Sequence, residues 1–583
     1  MSQTARTDDL DVELDVTTEI DLTTASADTD GIVRIADQVL EIARTDPDRV
    51  AIVHTHRRRG GELVHERRTY REVSDQAERL AAGLRARGVQ EGTLVSFMVP
   101  PSFEALVVGV ALFRLGATMV GIEPVSHGLR RVTHCLARVG PEVFFGSRRA
   151  HLARTVFGWG KETLRETYVV DGTWPGAIPT DEIMVDQVPD QPVGPDVDPA
   201  DPAVIAFTTG STGMPKPTVL RHRNFRAMVD LVGDQWGLDE DVVDMPTFPM
   251  FWIIALSAGG RTVVPPMDFT VKGPGDADPA ALLDTIDELG VGSMFGSPAL
   301  LKNLSDHART HGRNVPTLRR IVAGGAEVLG PLYAAVKDVL GPDGELYSNY
   351  GATESLPLCE IDGATVLSET WARTEAGEGL CVGPGLPGVQ LKIVPATDDD
   401  IASLDDVTPL PSGEIGEVIA KSPHISEDYF RDPKSTAANK IADPDGGVWH
   451  RLGDVGWLDD QDRLWLGGRR SHRVITAAKT YLPLQVEPVV ATHPAVRKAA
   501  LVGVPIDGDV RAVVCIERED GDRTDVEVLR SELRELVDRY PTTRGIRAFV
   551  VVPKLPVDRR HNAKIDRPAL GAKIAARAAR RRR

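Results

Sequence analysis

The sequence predicts an α/β protein with a large amino-terminal domain of mixed parallel sheets and helices plus a β-rich subdomain, and a small mobile α+β carboxy-terminal domain. Three observations predict this fold class. The chain has 583 residues, 42% of them hydrophobic, which is enough to form a large core and more than one domain. From about Ile35, short apolar runs alternate with helical periodicity, as is typical of parallel sheets covered by helices. Beyond Arg469 a smaller unit has strands and a helix of its own.

The individual elements follow from the periodicity of the apolar residues. In chain order we predict a helix at 36–44, a strand at 50–53, a helix at 70–87, a strand at 94–99 and a mostly buried helix at 103–115. A second α/β stretch covers 201–350, and a β-rich stretch punctuated by glycine and proline covers 379–466. In the small unit we predict strands at 499–504 and 513–516 and a helix at 526–540.

The most informative stretch is the loop FTTGSTGMPKPTV at 207–219. Glycines let the backbone bring N–H groups close to an anion, hydroxyls add donors, and a lysine supplies a mobile cation. The apolar run 204–207 is typical of a strand that ends at this loop. The sequence therefore predicts a site for the phosphate tail of ATP, formed by Thr208, Thr209, Gly210, Ser211, Thr212, Gly213 and Lys216.

Two other interpretations of this loop are weaker. A Walker A motif requires G-x-x-x-x-G-K-[ST], which does not fit the spacing of Gly210, Gly213, Lys216 and Pro217. This argues against a P-loop kinase or ATPase. A surface turn rich in Ser, Thr and Gly is common for any four of these residues, but not for the whole ordered set.

The hexapeptide NYGATE at 349–354 forms a second polar cluster. A tyrosine ring can stack on adenine, and small neighbouring residues allow close approach. A threonine hydroxyl can donate to the α-phosphate, and a glutamate offers an oxygen ligand to Mg²⁺. We therefore expect the nucleotide to contact Asn349, Tyr350, Gly351 and Thr353, and the metal to be held by Glu354.

A third cluster combines LGDVG at 452–456 with Gly468 and Arg469. Asp454 is suited to accept hydrogen bonds from both ribose hydroxyls, and Arg469 can add a donor. A loop carboxylate in a β-turn is the alternative for an isolated Gly-Asp pair.

Together these motifs resemble the adenylate-forming superfamily of acyl-CoA synthetases, luciferases and peptide-synthetase adenylation domains, over nearly all of 35–573. The phosphate loop of the superfamily usually ends in glycine, where this chain has Pro217, and nucleotide binding should survive that change. The resemblance implies ATP and Mg²⁺ as cofactors. It also implies a division of the chain into an acidic disordered tail at 1–30, a large domain at 31–468, a hinge at 469–473, a small domain at 474–570 and a basic tail at 571–583.

The resemblance adds residues that the motifs alone do not single out. GGAE at 324–327 resembles the segment along the adenine ring, so Gly325, Ala326 and Glu327 join the expected nucleotide site. The superfamily also places one lysine after a proline-containing loop near the carboxy terminus, here Lys564. Its charge would stabilise the transition state of adenylation, so the expected catalytic residues are Lys564, Thr353 and Glu354.

Several segments depart from the wider superfamily and resemble one subgroup, the β-lactone synthetases of bacterial olefin and β-lactone biosynthesis. Ser471 stands where the hinge usually has Asp or Lys, ITAAK at 475–479 replaces a glycine-rich segment along the pantetheine path, and PTFPM at 246–250 lacks a histidine. The matching segments are PTFPMF, FGSPAL, YGATESLP, RTEAGEGLCVG, GRRSHRV and PVDRRHNAKI.

The subgroup implies a two-step reaction. A long-chain 2-alkyl-3-hydroxy acid would be activated with ATP, and its own 3-hydroxyl would close a β-lactone. The alternatives are a fatty acyl-CoA or fatty acyl-AMP ligase acting on simple fatty acids, and a silent scaffold that retains the fold.

We place the acyl pocket at Phe248, Phe251, Trp252, Phe295 and Ser297, most of which would be core residues in any case. His222 and His472 are candidate bases for the hydroxyl, with a structural role as the alternative for each.

Bulk properties limit the compartment and the partners. The net charge is −18, and a basic carboxy-terminal end could touch a membrane or simply be solvated. Nucleic-acid binding has no other support. The sequence has no signal-peptide pattern, no bilayer-spanning apolar stretch and four cysteines without framework spacing. We therefore expect a cytoplasmic enzyme for a small lipid acid, and the olefin route would imply an upstream thiolase and reductase.

Overall fold

The computed structural model describes residues 35–58, 60–122, 128–191, 193–208, 214–248, 250–270, 273–506, 508–556 and 565–582. It confirms the predicted α/β class. Two mostly parallel sheets are covered by helices, a β-rich antiparallel unit follows them, and a small α+β unit lies toward the carboxy terminus.

The first parallel sheet is formed by strands that lie within residues 94–221. Its strands, in spatial order, are Ile178–Pro179, Glu166–Val169, Val143–Gly146, Leu94–Met98, Thr118–Gly121, Pro202–Phe207 and Pro217–Arg221. Neighbouring strands are parallel except for the last pair. That antiparallel pair flanks the predicted phosphate loop.

The second parallel sheet combines two strands within residues 50–69 with six strands within residues 243–362. Its strands, in spatial order, are Ser355–Asp362, Glu345–Ala352, Arg320–Ala323, Ser293–Gly296, Val243–Asp244, Arg261–Val264, Val50–Arg57 and Leu63–Thr69. The two outermost pairs are antiparallel and the inner pairs are parallel.

Helices cover both parallel sheets, and several of them begin after a residue whose side chain caps the helix. Thr69 and Glu72 form a reciprocal capping box, and the Ser102 hydroxyl caps the helix Phe103–Arg114. The helices of the large unit are Ile35–Thr45, Tyr70–Ala86, Phe103–Arg114, Leu129–Val139, Arg148–Phe157, His222–Trp236, Met250–Ser257, Pro279–Leu289, Pro298–Thr310, Gly330–Lys337, Gly363–Thr365, Trp371–Glu375 and Pro433–Asn439. Within the described part of the chain, no helix is long and apolar enough to cross a membrane.

A buried ion pair joins three of these helices. Arg114, at the end of the apolar helix, donates to Asp37 at 2.6 Å and to Glu78 at 2.9 Å. The helix Phe103–Arg114 is buried along its length, as the apolar run predicts. The guanidinium is stabilised in this core because both neighbouring helices supply a carboxylate.

The β-rich unit and the small unit complete the chain. The β-rich unit consists of the strands Leu380–Pro384, Arg463–Arg469, Val448–Leu458, Gly416–Lys421 and Gln390–Val394, with Lys440–Ala442 beside Val448–Leu458. The small unit consists of the strands Val474–Ile475, Thr480–Tyr481, Val496–Ile506, Asp509–Arg518 and Ala548–Val551 and the helices Pro483–Ala491, Val526–Val537 and Arg567–Arg582.

The carboxyl edges of the two parallel sheets present the predicted motifs. The phosphate loop follows the strand that ends at Phe207, the adenine segment follows the strand that ends at Ala323, and NYGATE closes the hairpin after Glu345. In open α/β sheets, ligands bind in the crevice outside the carboxyl ends of the strands. The fold therefore brings motifs from distant parts of the chain to one side of the molecule.

Candidate active site

Tyr350, Asp454 and Arg469 meet at one point. The Tyr350 hydroxyl donates to Oδ2 of Asp454 at 2.8 Å, and Arg469 Nε lies 3.3 Å from the other carboxylate oxygen. Asp454 and Arg469 are cross-strand partners in the β-rich unit, so their backbones are held in register. The predicted adenine and ribose residues thus form one contiguous surface.

Ionisation states in this group are fixed by burial and charge. Burial raises the pKa of Tyr350 well above its ordinary value, so the phenol stays a hydrogen-bond donor. The nearby Asp454 carboxylate raises the pKa of Arg469. The group offers a carboxylate acceptor flanked by donors, an arrangement suited to a sugar hydroxyl.

Glu354 lies in the two-residue turn between the strands Glu345–Ala352 and Ser355–Asp362. Its carbonyl accepts a hydrogen bond from Ser426 N at 2.8 Å, and its Oε1 accepts one from the Tyr429 hydroxyl at 2.7 Å. Thr353, beside it in the turn, is half-buried. At Gly351 a Cβ would lie 2.6 Å from the Ser355 carbonyl, which explains why the turn needs glycine there.

Lys216, which directly precedes the last strand of the first parallel sheet, lies near Tyr429, the residue that donates to Glu354. Its Nζ donates to Asn439 Oδ1 at 3.0 Å and lies 5.1 Å from the centre of the Tyr429 ring. Burial lowers the pKa of Lys216, and the Glu354 charge acts in the opposite direction. The phosphate-loop lysine and the expected metal ligand therefore share one electrostatic environment.

Sequence reasoning missed two buried basic residues near Tyr429, namely Lys440 and its neighbour His450. Lys440 is buried, donates to the Ser426 carbonyl and has a pKa lowered by burial to about 8. His450, its cross-strand partner, is buried too, and burial holds its pKa well below the ordinary value. The sequence signal is weak, because a lysine between the polar Asn439 and the apolar Ile441 is also typical of a solvated side chain.

The predicted adenine segment follows a strand of the second sheet. Gly325 has a backbone φ of 88°, while Ala326 is half-buried and Glu327 exposed. At Gly324 a Cβ would lie 3.1 Å from the Phe295 ring. The side-chain amide atoms of Asn349 are buried and have no hydrogen-bond partner within the described ranges. An amide in that state is suited to a ligand with both donors and acceptors.

Three of the five predicted acyl-pocket residues, Phe248, Phe251 and Phe295, form one aromatic cluster. Phe251 stacks on Phe295 at 4.3 Å between ring centres, and Phe248 lies edge-on to Phe295 at 6.3 Å. Trp252 donates to the Pro246 carbonyl at 3.0 Å. Trp236, which the sequence did not single out, stacks on Phe295 and lies tilted against Phe251.

Ser297, the fifth predicted pocket residue, has a local role. Its hydroxyl accepts a hydrogen bond from Leu300 N and caps the helix Pro298–Thr310. Ser297 is also nearly buried, next to Phe295 in the chain. The cap fixes the chain where it leaves the sheet beside the aromatic cluster.

The two histidines proposed as bases have different surroundings. His222 is buried against Phe113, with the ring centres 6.1 Å apart, at the start of the helix His222–Trp236. His472 is near the charges of Arg469 and Arg567, and burial lowers its pKa to about 4. His472 is therefore a neutral imidazole within electrostatic range of Arg469, and His222 belongs to the core.

Some predicted residues lie outside the described part of the chain. Thr208 is nearly buried, and its N–H donates to the Lys216 carbonyl at 3.1 Å. The residues outside the described ranges are Thr209, Gly210, Ser211, Thr212, Gly213 and Lys564.

The residues at the turn fit a magnesium ion bound together with substrate phosphates. Within the described ranges, no group of three His, Cys, Asp or Glu side chains could hold a metal on its own. Magnesium usually binds one or two carboxylates plus phosphate oxygens, and needs no such group. Glu354 provides the carboxylate, and its Oε2 accepts no hydrogen bond from the described residues.

The chain belongs to the AMP-binding enzyme family, whose model matches residues 39–430. It is thus an AMP-forming ligase. It is 37% identical to an olefin beta-lactone synthetase of Stenotrophomonas maltophilia, over 92% of this chain and 97% of that protein. It is 35% identical to an olefin beta-lactone synthetase of Xanthomonas campestris, with the same coverage of each chain. The resemblance stated from the motifs is confirmed.

More distant proteins share the fold. A feruloyl-CoA synthase of Amycolatopsis is 28% identical over 86% of this chain and 94% of its own length. The amide bond synthetase McbA from Marinactinospora thermotolerans superposes with a TM-score of 0.76 at 24% identity, covering 93% of this chain and 99% of that one. ATP-bound MatB from Rhodopseudomonas palustris superposes with a TM-score of 0.72 at 20% identity and the same coverage.

Proposed function

We propose that this ligase activates a long-chain 2-alkyl-3-hydroxy acid as its acyl-adenylate and then closes a β-lactone through the 3-hydroxyl of the same molecule. One observation carries the proposal, namely the similarity over 92% of the chain to two proteins named olefin beta-lactone synthetase. The segments that depart from acyl-CoA synthetases, at 246–250 and 475–479, support it.

In the first step an oxygen of the acid carboxylate attacks the α-phosphorus of ATP, and diphosphate leaves. Asp454 and Tyr350 would hold the ribose and adenine, and Lys216 would follow the departing diphosphate. Lys564 would stabilise the charge that develops around the α-phosphorus. Magnesium held by Glu354 would offset phosphate charge when bound.

In the second step the 3-hydroxyl oxygen attacks the acyl carbonyl carbon. The hydroxyl loses its proton, the bond from the carbonyl carbon to the adenylate oxygen breaks, and AMP leaves. Nucleophile and electrophile belong to one molecule, so their effective concentration is high and no thiol acceptor is needed. His472 is the better placed of the two candidate bases, because it lies near Arg469.

The aromatic cluster would receive the alkyl chains. Phe251, Phe295 and Trp252 are almost fully buried, so an acid that enters must displace or repack these rings. Apolar rings give a favourable environment to hydrocarbon chains and exclude water from the mixed anhydride. On this proposal the acid is supplied by a condensing thiolase followed by a ketone reductase.

The test is a product assay without CoA. Incubated with ATP, Mg²⁺ and a 2-alkyl-3-hydroxy acid, the protein should release AMP, diphosphate and β-lactone in equal amounts. The matched substrate is the same acid without its 3-hydroxyl, which should support exchange of diphosphate into ATP but give no lactone. Strict dependence of product formation on CoA would contradict the proposal.

The second candidate is a fatty acyl-CoA or acyl-AMP ligase. The similarity to a feruloyl-CoA synthase supports it. Equal turnover of simple and hydroxylated acids, with a CoA thioester as the product, would favour that function over lactone formation.

A further inference from the structure

Tyr429 lies beside two ammonium groups and the Glu354 carboxylate. Its ring is almost fully buried, and the Nζ atoms of Lys216 and Lys440 lie 5.1 Å and 5.6 Å from the ring centre. Cations are attracted to the face of an aromatic ring, most strongly where water is excluded. The backbone is also held, because Tyr429 N donates to the Thr436 hydroxyl at 3.1 Å. The tyrosine therefore has little freedom to move.

The Tyr429 hydroxyl reaches the expected metal ligand. It donates to Oε1 of Glu354 at 2.7 Å, while Ser426 N holds the Glu354 carbonyl at 2.8 Å. Oε1 already accepts the Tyr429 hydrogen bond, whereas Oε2 accepts none from the described residues and offers both of its lone pairs to a cation.

We propose that Tyr429 is a positioning residue that orients the Glu354 carboxylate toward the magnesium of the bound nucleotide. Lys216 and Lys440 hold the ring in place, and the hydroxyl selects which carboxylate oxygen meets the metal. The inference rests on the proposed function in one respect, which is the assignment of Glu354 as the magnesium ligand. It holds for any acid substrate, since Mg²⁺ and ATP bind without one.

Loss of the hydroxyl would free the carboxylate to turn. Among the described residues only the Tyr429 hydroxyl donates to the Glu354 carboxylate, so without it the carboxylate has no fixed orientation. A carboxylate that rotates is directed at the metal for less of the time. Removal of a group that orients a metal ligand typically weakens metal binding by about 10- to 100-fold.

The test is Tyr429→Phe, which keeps the ring beside the lysines and removes only the hydroxyl. Binding of ATP is measured by calorimetry at increasing Mg²⁺ without any acid. The Mg²⁺ concentration for half-maximal binding should rise about 10- to 100-fold, and saturating Mg²⁺ should restore ATP affinity. The matched control is Tyr168→Phe, since Tyr168 is a buried tyrosine of the first sheet whose hydroxyl donates to Glu166. The control should leave the Mg²⁺ dependence unchanged.

An unchanged Mg²⁺ dependence in Tyr429→Phe would overturn the inference. A crystal structure of the unmodified protein with Mg²⁺ and ATP gives a second test that does not require a stable variant. It should show the Tyr429 hydroxyl on Oε1 and the metal on Oε2, and a metal bound by Oε1 would also overturn the inference. Neither test includes an acid, so a failure to form lactone leaves both results interpretable.

Discussion

At the scale of the residue, Asp454 is the side chain for which we propose the most direct role in nucleotide binding. It accepts a hydrogen bond from Tyr350 and lies beside Arg469, so its negative charge is stabilised before any ligand arrives. A carboxylate that is already held in place loses little conformational freedom when it accepts a hydrogen bond from a sugar hydroxyl, so binding costs little free energy. The side chain is also nearly buried, which strengthens its hydrogen bonds relative to those in water.

Asp454→Asn should therefore weaken ATP use. The amide keeps the shape of the carboxylate but loses the charge, and hydrogen bonds to charged groups contribute about 1.5–3 kcal/mol, equivalent to roughly a 10- to 150-fold effect. We expect kcat/KM for ATP to fall by about that factor, measured as diphosphate release. Asp460→Asn, on the exposed turn between the same two strands, is the control. Equal kinetics in the two variants would refute the role given to Asp454.

Several residues of the candidate site could be predicted because they lie within short motifs. NYGATE and the Gly-Asp pair carry their chemistry in adjacent residues, and the structure brings Tyr350, Asp454 and Arg469 together. Tyr429 and Lys440 could not be found in this way. Each contributes through contacts with residues far away in sequence, and a tyrosine or lysine in a polar segment has no distinguishing pattern.

At the scale of the element, one close contact between the large and small units is made at a glycine. Gly377 has a backbone φ of 88°, and a Cβ there would lie 2.5 Å from the Thr542 hydroxyl and 3.1 Å from the Gln485 carbonyl. Gln485 belongs to the helix Pro483–Ala491 of the small unit. The helix and the Thr542 loop can approach the segment 371–378 only because residue 377 has no side chain.

Gly377→Ala should loosen this contact. The control is Gly413→Ala, where φ is 83° and no atom lies within 4 Å of the added Cβ. Both variants carry the strain of a left-handed residue, about 1–2 kcal/mol, but only Gly377→Ala adds steric overlap. Hydrogen exchange should speed up in 483–491 and 540–545 for Gly377→Ala alone. The same exchange rates in both variants would show that the overlap relaxes without moving the small unit.

The elements with strong periodicity were predictable, since a helix or strand depends on neighbouring residues. The observed helices Ile35–Thr45 and Tyr70–Ala86 lie within a residue or so of the predicted bounds. The spatial order of the strands was not predictable. The second sheet joins Val50–Arg57 to Arg261–Val264, and that pairing depends on the packing of the whole domain rather than on either segment.

At the scale of the whole molecule, buried histidines make stability depend on pH. Burial lowers the pKa of five histidines, so the folded chain resists a proton that the unfolded chain binds near its ordinary pKa. Those histidines are His54, His151, His424, His450 and His472. Stability should therefore fall as pH falls below about 6.5. Asp244 acts in the opposite direction, because burial raises its pKa to about 7.

His424→Gln isolates one of these contributions. Burial lowers the pKa of His424 to about 4, and its ring nitrogen bonds the Pro357 carbonyl at 2.8 Å, a contact that a glutamine amide can replace. Between pH 7 and pH 5 the unmodified protein should lose about 2 kcal/mol more stability than His424→Gln. Denaturant unfolding at the two pH values measures this difference. Parallel losses in both proteins would mean that His424 binds a proton equally in the folded and unfolded states.

The central claim is that the acid is activated at its carboxylate and then closes on itself. The most direct measurement is isotope transfer from an acid labelled with oxygen-18 at both carboxylate oxygens. The account predicts that one labelled oxygen appears in AMP and the other in the lactone carbonyl, with the 3-hydroxyl oxygen retained in the ring. Unlabelled AMP, together with a lactone that keeps both labelled oxygens, would contradict it, because the hydroxyl rather than the carboxylate would then have been activated.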